Sequence, residues 1–337
     1  CLVGSEMCIR DRYYTLLLGG ILMEKLRFIV TGDPPADYYY KSPKKLALID
    51  GGSSKFNCLL GLAYLGNPTA VIGTVNSNII GQMILAGFKR EYVDTSDIKI
   101  IDMPQSRIYH LSSLENGHFS SSKICPICGN ATWYEKSFTT NQYCISKIKS
   151  NDVIIFDHLT PQDIELISIL PNDKIIDLGH VRRTLSPQNI LSLSEKFEII
   201  QMNGKVAMYL KDLFSLRKYR DFYDILKPKI LIITWGKHGA EIVVSSSCSY
   251  GKILRNAVLD AVDTTGAGDA FLASFVNQYY KNGKEITKRF VDTAFEEASK
   301  TTSFVVQSAG ARGHIYAGFS PELKPGLCSC KDLAGFH

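Results

Sequence analysis

The residues best suited to chemistry stand in one short segment, Asp263-Thr264-Thr265-Gly266-Ala267-Gly268-Asp269-Ala270-Phe271. Glycines allow the backbone to turn tightly and to approach a ligand closely. The apolar stretch from Ala270 to Tyr280 predicts a helix directly after this turn. The first amides of a helix have no partner inside it and lie at the positive end of its dipole. The sequence therefore predicts an anion hole formed by Gly266, Ala267 and Gly268.

Asp269 stands at the same helix start, where its negative charge would repel a bound phosphate. Its presence there is explained if the carboxylate has a function of its own. A carboxylate in this position suits a hydroxyl group that must lose a proton, so we predict Asp269 as a general base. Phosphoryl transfer needs mainly positioning and charge neutralisation, which this turn and one carboxylate can supply. The simpler alternative is an ordinary helix N-terminus with an acidic residue favoured by the dipole.

Strands alternate with helices in the C-terminal half of the chain. Apolar runs predict strands at 153–156, 174–178, 197–201 and 230–234, with helices beginning at Pro161, near Pro187 and at Asn203. Strands at 26–30, 46–49 and 69–75 and a helix at 57–65 come earlier, and the segment 98–150 is predicted to be irregular. Such alternation implies a parallel sheet covered on both faces, with ligands bound beyond the carboxyl ends of its strands.

The segment from Asp263 to Phe271 resembles the C-terminal signature of the PfkB carbohydrate kinases. Three further segments are similar to other parts of that family: Gly51-Gly52-Ser53-Ser54-Lys55-Phe56-Asn57, Thr234-Trp235-Gly236-Lys237-His238-Gly239 and Gly310-Ala311-Arg312-Gly313. The resemblance extends over residues 26–315. It implies a ribokinase-like α/β fold, with a central mostly parallel sheet flanked by helices and a small β lid. It also implies ATP-dependent phosphorylation of a hydroxyl group on a sugar or sugar-like molecule.

The same resemblance implies roles for individual residues. Substrate binding falls to Asp37, Gly51, Gly52 and Asn57, nucleotide binding to Thr234, Gly236 and Gly239, and binding of the Mg²⁺ that accompanies ATP to Asp263 and Asn203. The sequence departs from the family at Val206, where the motif N-x-x-E carries glutamate, and at Asn76-Ser77-Asn78, where an acidic pair is usual. These departures leave the identity of the substrate open and predict that the metal is held mostly by the nucleotide phosphates.

Two alternatives to a sugar kinase remain. A nucleoside kinase of the same fold is the nearer one, and the other is a non-catalytic family member that binds a ligand, which Val206 favours and Asp269 opposes. The net charge of +5 suits an anionic nucleotide and gives no argument for nucleic acid. No apolar run approaches the roughly 20 residues that span a membrane. We expect small-molecule partners, a homodimer formed through the lid, and a cytoplasmic location that the cysteine usage favours.

Cys125-Pro126-Ile127-Cys128 resembles half of a zinc knuckle, because the proline makes the tight turn that lets both thiolates face one ion. A complete site needs further ligands, for which Cys144, His118 and His110 are candidates. Zn²⁺ there would be structural and would stiffen the lid. The alternatives are two reduced thiols in a loop, a redox pair, and a zinc-dependent nucleic-acid binder, which would need a basic aromatic patch that the sequence lacks.

The two ends of the chain differ from its centre. Residues 1–12 resemble a translated sequencing adapter, so we predict a non-native leader over 1–22 and a natural start at Met23. A signal-peptide core at 16–22 is the alternative. The kinase domain is predicted over 23–320, with lid insertions that include 98–150, and a tail over 321–337.

Overall fold

The computed structural model describes residues 26–42, 45–112, 119–134, 137–157, 159–179, 187–245, 248–252 and 261–315. The predicted leader at 1–22 and tail at 321–337 lie outside these residues. Its strands are β1 (Arg27–Gly32), β2 (Ala36–Ser42), β3 (Lys45–Gly51), β4 (Thr69–Asn76), β5 (Ile98–Ile101), β6 (Arg107–Ser112), β7 (Phe119–Ser122), β8 (Asp152–Phe156), β9 (Lys174–Asp177), β10 (Ile199–Asn203), β11 (Ile230–Thr234), β12 (Ala240–Ser245) and β13 (Cys248–Lys252). Its helices are α1 (Ser54–Tyr64), α2 (Ile79–Arg90), α3 (Asn141–Lys147), α4 (Pro161–Ile169), α5 (Pro187–Ser194), α6 (Gly204–Leu213), α7 (Phe222–Leu226), α8 (Ala267–Lys281) and α9 (Lys288–Val305).

A large sheet forms the centre of the molecule. Within the described residues it has nine strands, in the order β13-β12-β11-β10-β9-β8-β1-β4-β5. Pairing is parallel from β11 to β5 and antiparallel only where β12 and β13 are added. Strands such as β4 and β8 are buried along their whole length, as expected for parallel strands covered on both faces. The predicted parallel α/β sheet is therefore confirmed.

Helices cover both faces of this sheet. Along β1, Phe28 and Val30 belong to an apolar cluster with α1, α2, α8 and α9, whereas Ile29 belongs to a second cluster with α3 to α7. Successive side chains of a strand point to opposite faces, so these two clusters lie on opposite sides of the sheet. In sheets of this kind, ligands bind beyond the carboxyl ends of the parallel strands.

A second, smaller sheet has the order β3-β2-β6-β7 and corresponds to the predicted lid. Its two faces differ in chemistry. Tyr38 and Tyr109 pack together on one face, with ring centres 5.5 Å apart. On the other face, the rings of Tyr39 and His110 stack with centres 4.6 Å apart. The polar face of this sheet also carries Asp37, one of the predicted substrate-binding residues.

The prediction that 98–150 is irregular was wrong, because this segment contains β5, β6, β7 and α3. Its strands are short, β6 and β7 are rich in polar residues and Lys99 interrupts β5, so they lack the apolar runs by which other strands were recognised. They form because neighbouring strands pair with them, a contribution that depends on context more than on intrinsic preference.

Within the described residues, no helix is both long and apolar enough to cross a membrane.

Candidate active site

Several side chains that follow the parallel strands converge at one edge of the large sheet. Asp157 directly follows β8, Asp177 ends β9, Asn203 ends β10 and Thr234 ends β11. The N-terminus of α8, which carries Asp269, is tied to this edge because Gln201 Nε2 donates a hydrogen bond to the Gly268 carbonyl over 3.0 Å. This edge is where open α/β sheets bind their ligands.

Asp269 lies in the first turn of α8 and is only 8% exposed. Asn57 Nδ2, from α1, donates a hydrogen bond of 2.8 Å to its Oδ2. Burial raises the pKa of Asp269 to about 6, and the neighbouring Asp157 adds to this, whereas hydrogen bonds from Asn57 and Ser54 oppose it. A carboxylate with this pKa is largely ionised at neutral pH yet still accepts a proton readily, as a general base requires.

The predicted anion hole lies at the start of the same helix. Gly266 is the N-cap of α8 and has a φ of 79°, in the left-handed region that favours glycine. A side chain there would also overlap Ala311, whose Cβ would lie 2.6 Å from the added carbon. Ala267 and Gly268 form the first residues of the helix, so the structure brings all three predicted residues and Asp269 to one helix start.

Asp263 and Asn203, the predicted magnesium ligands, both make hydrogen bonds with the backbone. Asp263 is fully buried, and its two carboxylate oxygens accept from the amides of Thr265 and Gly310, each over 2.8 Å. It thereby ties the turn before α8 to the closing segment of the chain. Asn203 caps α6 by accepting from the Val206 amide over 3.0 Å. These contacts explain both residues structurally, and their binding of magnesium stays a prediction.

The predicted nucleotide-binding residues lie together after β11. Thr234 is the last residue of that strand, and Gly236 and Gly239 have φ values of 58° and 93° in the turn that follows. The amide of Trp235 donates to the carbonyl of Gly239 over 2.8 Å and closes this turn. A turn with two left-handed residues at the carboxyl end of a strand lets the backbone approach a ligand, which is consistent with the predicted role.

Asp37 lies on the polar face of the small sheet and is 3% exposed. Its Oδ2 accepts a hydrogen bond from the Tyr39 hydroxyl over 3.3 Å and lies 3.2 Å from His110 Nε2. Burial lowers the pKa of His110, but the Asp37 carboxylate outweighs this effect and the pKa is raised. Gly52 adjoins the carboxylate so closely that a Cβ there would overlap it. Asp37 Oδ1 is buried and has no hydrogen-bond partner among the described residues, so it can accept from a bound hydroxyl group.

The remaining predicted substrate residues, Gly51 and Asn57, both lie against Arg312, for which no individual role was predicted. Arg312 is 1% exposed, and its Nε donates to Asn57 Oδ1 over 2.8 Å. A Cβ at Gly51 would overlap its guanidinium group. Arg312 was recognised only as part of a closing segment, since nothing in the local sequence indicates that its side chain reaches α1.

Two buried carboxylates at this edge, Asp157 and Asp177, were not predicted from the sequence. Asp157 accepts hydrogen bonds from the Ser53 hydroxyl and, over 3.2 Å, from the Lys55 amide. Burial raises the pKa of Asp177 to about 8, and the nearby Asp269 adds to the effect. Both residues stand at the carboxyl end of a predicted strand, which is the signal that would have identified them.

The structure does not bring the zinc-ligand candidates together. Cys125 is buried and Cys128 is exposed, whereas Cys144 belongs to the apolar cluster on the opposite face of the sheet. His110 faces Asp37, and His118 lies outside the described residues. In the part of the chain that the structure describes, no group of three or more histidine, cysteine, aspartate or glutamate residues is arranged to hold a metal ion.

Comparison with solved structures identifies the fold. A fructokinase from Vibrio cholerae O395, solved with fructose, ADP and a calcium ion, superposes with a TM-score of 0.67 at 15% identity, covering 87% of this chain and 96% of that one. A Burkholderia thailandensis nucleoside kinase in complex with inosine also gives 0.67, at 16% identity, over 85% of this chain and 93% of that one. At such identities the likeness establishes the fold, which is ribokinase-like as predicted.

The sequence comparisons show which known proteins the chain is similar to. Residues 188–315 match the model of the pfkB family carbohydrate kinases, a range that includes the turn before α8 and the closing segment. A fructokinase from Salmonella typhimurium is 24% identical over 277 residues, which cover 75% of this chain and 84% of that protein. The C-terminal part of the chain thus matches the pfkB family carbohydrate kinases, and the resemblance found in its motifs is confirmed.

Proposed function

We propose that this protein uses ATP to phosphorylate a hydroxyl group of a sugar or sugar-like molecule, with Asp269 as the general base. The observation that carries the proposal is the helix start of α8, where the Gly266 turn and the buried Asp269 carboxylate stand side by side. A phosphoryl group held by the turn would lie next to the group that deprotonates the acceptor.

The substrate would lie between the small sheet and the edge of the large one. Asp37 Oδ1, buried and without a partner among the described residues, would accept a hydrogen bond from a substrate hydroxyl. Asp269 would then take the proton of the hydroxyl that attacks the γ-phosphate. Thr234, Gly236 and Gly239 would line the nucleotide site, and the amides of Gly266, Ala267 and Gly268 would stabilise the charge on the transferred group.

The residues near the base are suited to a nucleotide that arrives with Mg²⁺. Burial raises the pKa of Asp177 and the nearby Asp269 carboxylate adds to the effect, so a second negative charge at this site is disfavoured. A divalent cation relieves such repulsion, and Mg²⁺ commonly uses only one or two carboxylates besides phosphates and water. Bound Mg²⁺ would neutralise the phosphate charge, and Asp263 and Asn203 remain the predicted protein ligands.

A nucleoside substrate is the second candidate, favoured by the stacked rings of Tyr39 and His110 beside Asp37. Flat aromatic faces at that position would suit the nucleobase of a nucleoside as well as a sugar ring. A homodimer formed through the small sheet and a cytoplasmic location are further parts of this proposal. The cysteine usage of the chain favours the cytoplasmic location.

The test is release of ADP from ATP with a panel of sugars and nucleosides as acceptors. We expect one acceptor to support turnover in the wild type. In Asp269→Asn, which keeps the shape and removes the charge, kcat should fall by roughly two to four orders of magnitude while nucleotide binding persists. Near-normal kcat in this variant would remove Asp269 from the mechanism. A wild type inactive with every acceptor would instead favour a non-catalytic ligand-binding protein.

A further inference from the structure

Three buried side chains form a continuous line of hydrogen bonds that ends at the proposed base. Arg312 Nε donates to Asn57 Oδ1 over 2.8 Å, and Asn57 Nδ2 donates to Asp269 Oδ2 over 2.8 Å. The three residues come from the closing segment, from α1 and from α8. The line therefore connects parts of the chain that are distant in sequence.

The direction of these bonds is set by the arginine. A guanidinium group has donors and no acceptor, so only the amide oxygen of Asn57 can face it. The amide nitrogen must then point the opposite way, towards Asp269. If the amide turned over, its oxygen would face the carboxylate and repel it. The arginine thus selects the one orientation of Asn57 that supports a negative charge on Asp269.

Arg312 itself is held on several sides. Its Nη1 lies 3.5 Å from Asp50 Oδ1 and its Nη2 lies 3.4 Å from the Gly52 carbonyl. Gly51 provides room, since a side chain there would overlap the guanidinium group. Burying a charged side chain is costly unless its partners are well placed. Packing of this turn does not by itself require a charged side chain, so the buried guanidinium group and its partners call for another explanation.

We propose that Arg312 is a positioning residue for the reaction, which fixes the amide of Asn57 so that Asp269 is held in place and kept ionised. The proposal rests on the function proposed above. It explains why glycine occupies position 51, because that glycine makes space for the arginine. It also links the base to the small sheet, since Asp50 lies on β3, at the point where that sheet joins α1.

The charges around Asp269 determine what disturbing the line would do. Burial disfavours its ionised form, and Asp157 after β8 and Asp37 on β2 add to this effect. Asp177 on β9 lies close enough for the Asp269 carboxylate to raise the pKa of Asp177. The hydrogen bond from Asn57 favours the ionised form. A weaker bond from Asn57 would therefore raise the pKa of Asp269, and turnover would then be lost at a higher pH as the solution is acidified.

The test is Arg312→Lys, which retains the positive charge but cannot reach Asn57 and Asp50 in the same fork-like way. We expect kcat to fall roughly tenfold to a hundredfold, as for other small displacements of a catalytic group, with KM for ATP little changed. The acidic limb of the kcat profile should move to higher pH. Arg289→Lys is the matched control, because Arg289 is exposed in the first turn of α9. This variant should behave like the wild type.

Two further variants distinguish positioning from a general loss of structure. Gly51→Ala should displace the guanidinium group and shift the pH profile in the same direction, even if Arg312→Lys folds poorly. In an Asn57→Ala background, Arg312→Lys should have little additional effect on kcat, because the residue through which it acts is gone.

Three results would overturn the inference. The first is an active wild type with the same kcat and pH profile in Arg312→Lys. The second is an equal fall in kcat from Arg312→Lys whether or not Asn57 is present, because this would show an independent effect. In both of these cases the proposed function would stand. The third is a wild type that releases no ADP with any acceptor, in which case the function and the inference would fail together.

Discussion

Val206 is the position where a single substitution best tests the departure of this sequence from the family pattern. It is the third residue of α6, where the resemblance leads one to expect glutamate, and it is only 1% exposed. It belongs to the apolar cluster of its face of the sheet, together with Ala207 and Leu210. We therefore expect Val206→Glu to place a carboxyl group in an apolar environment, where the ionised form is disfavoured.

The cost of this change can be worked out from the pKa of glutamate. In the unfolded chain that pKa is about 4.3, and one pKa unit corresponds to about 1.36 kcal/mol. Holding the group neutral in the folded protein then costs about 3.7 kcal/mol at pH 7 and about 1 kcal/mol at pH 5. The helix dipole at this position would stabilise the ionised carboxylate by about 1 kcal/mol at most. Burial thus outweighs the dipole at neutral pH.

The sign of the pH dependence follows from the same argument. A group whose pKa is raised by folding leaves stability intact below its unfolded pKa, and stability is lost as the pH rises towards its folded pKa. Val206→Gln is the matched control, because it has the same shape and does not titrate. The gap in unfolding free energy between the two variants should widen by about 2.7 kcal/mol from pH 5 to pH 7.

Denaturant unfolding of both variants at the two pH values measures this gap. An equal gap at pH 5 and pH 7 would refute the reasoning, since it would mean that the carboxylate reaches water or a cation. Unchanged stability of Val206→Glu, combined with a lower half-saturating magnesium concentration for ADP release, would show that the residue faces the metal as in the family pattern.

Two further predictions concern Asp37 on the small sheet and the cysteine pair. Asp37→Ala should raise KM for the acceptor roughly 10- to 150-fold, the equivalent of about 1.5–3 kcal/mol for a charged hydrogen-bond partner, and leave KM for ATP nearly unchanged; a higher KM for ATP alone would contradict its place on the substrate side. Elemental analysis of the purified protein should find well below one equivalent of zinc per chain, because Cys144 lies across the sheet from Cys125. Stoichiometric zinc that disappears in Cys125→Ser would contradict this.

The sequence alone determined the turn before α8 and the alternation that makes the large sheet. Both are local properties: glycines at Gly266 and Gly268 permit the turn whatever lies around them, and apolar runs such as 153–156 and 230–234 are buried in any fold that covers both faces of a sheet. These features sufficed to predict the fold class and the position of Asp269 at a helix start.

Tertiary structure decided how Asp269 is surrounded. Asn57 is 212 positions from Asp269, and Arg312 is 255 positions from Asn57, so no local pattern relates them. The strands of the small sheet were likewise invisible where they are short and polar, because their pairing partners stabilise them. The burial of Val206 depends on how α6 packs against the sheet. Contacts of this kind arise only once the topology has brought distant segments together, and for that reason the sequence predicted the chemistry of this site better than its geometry.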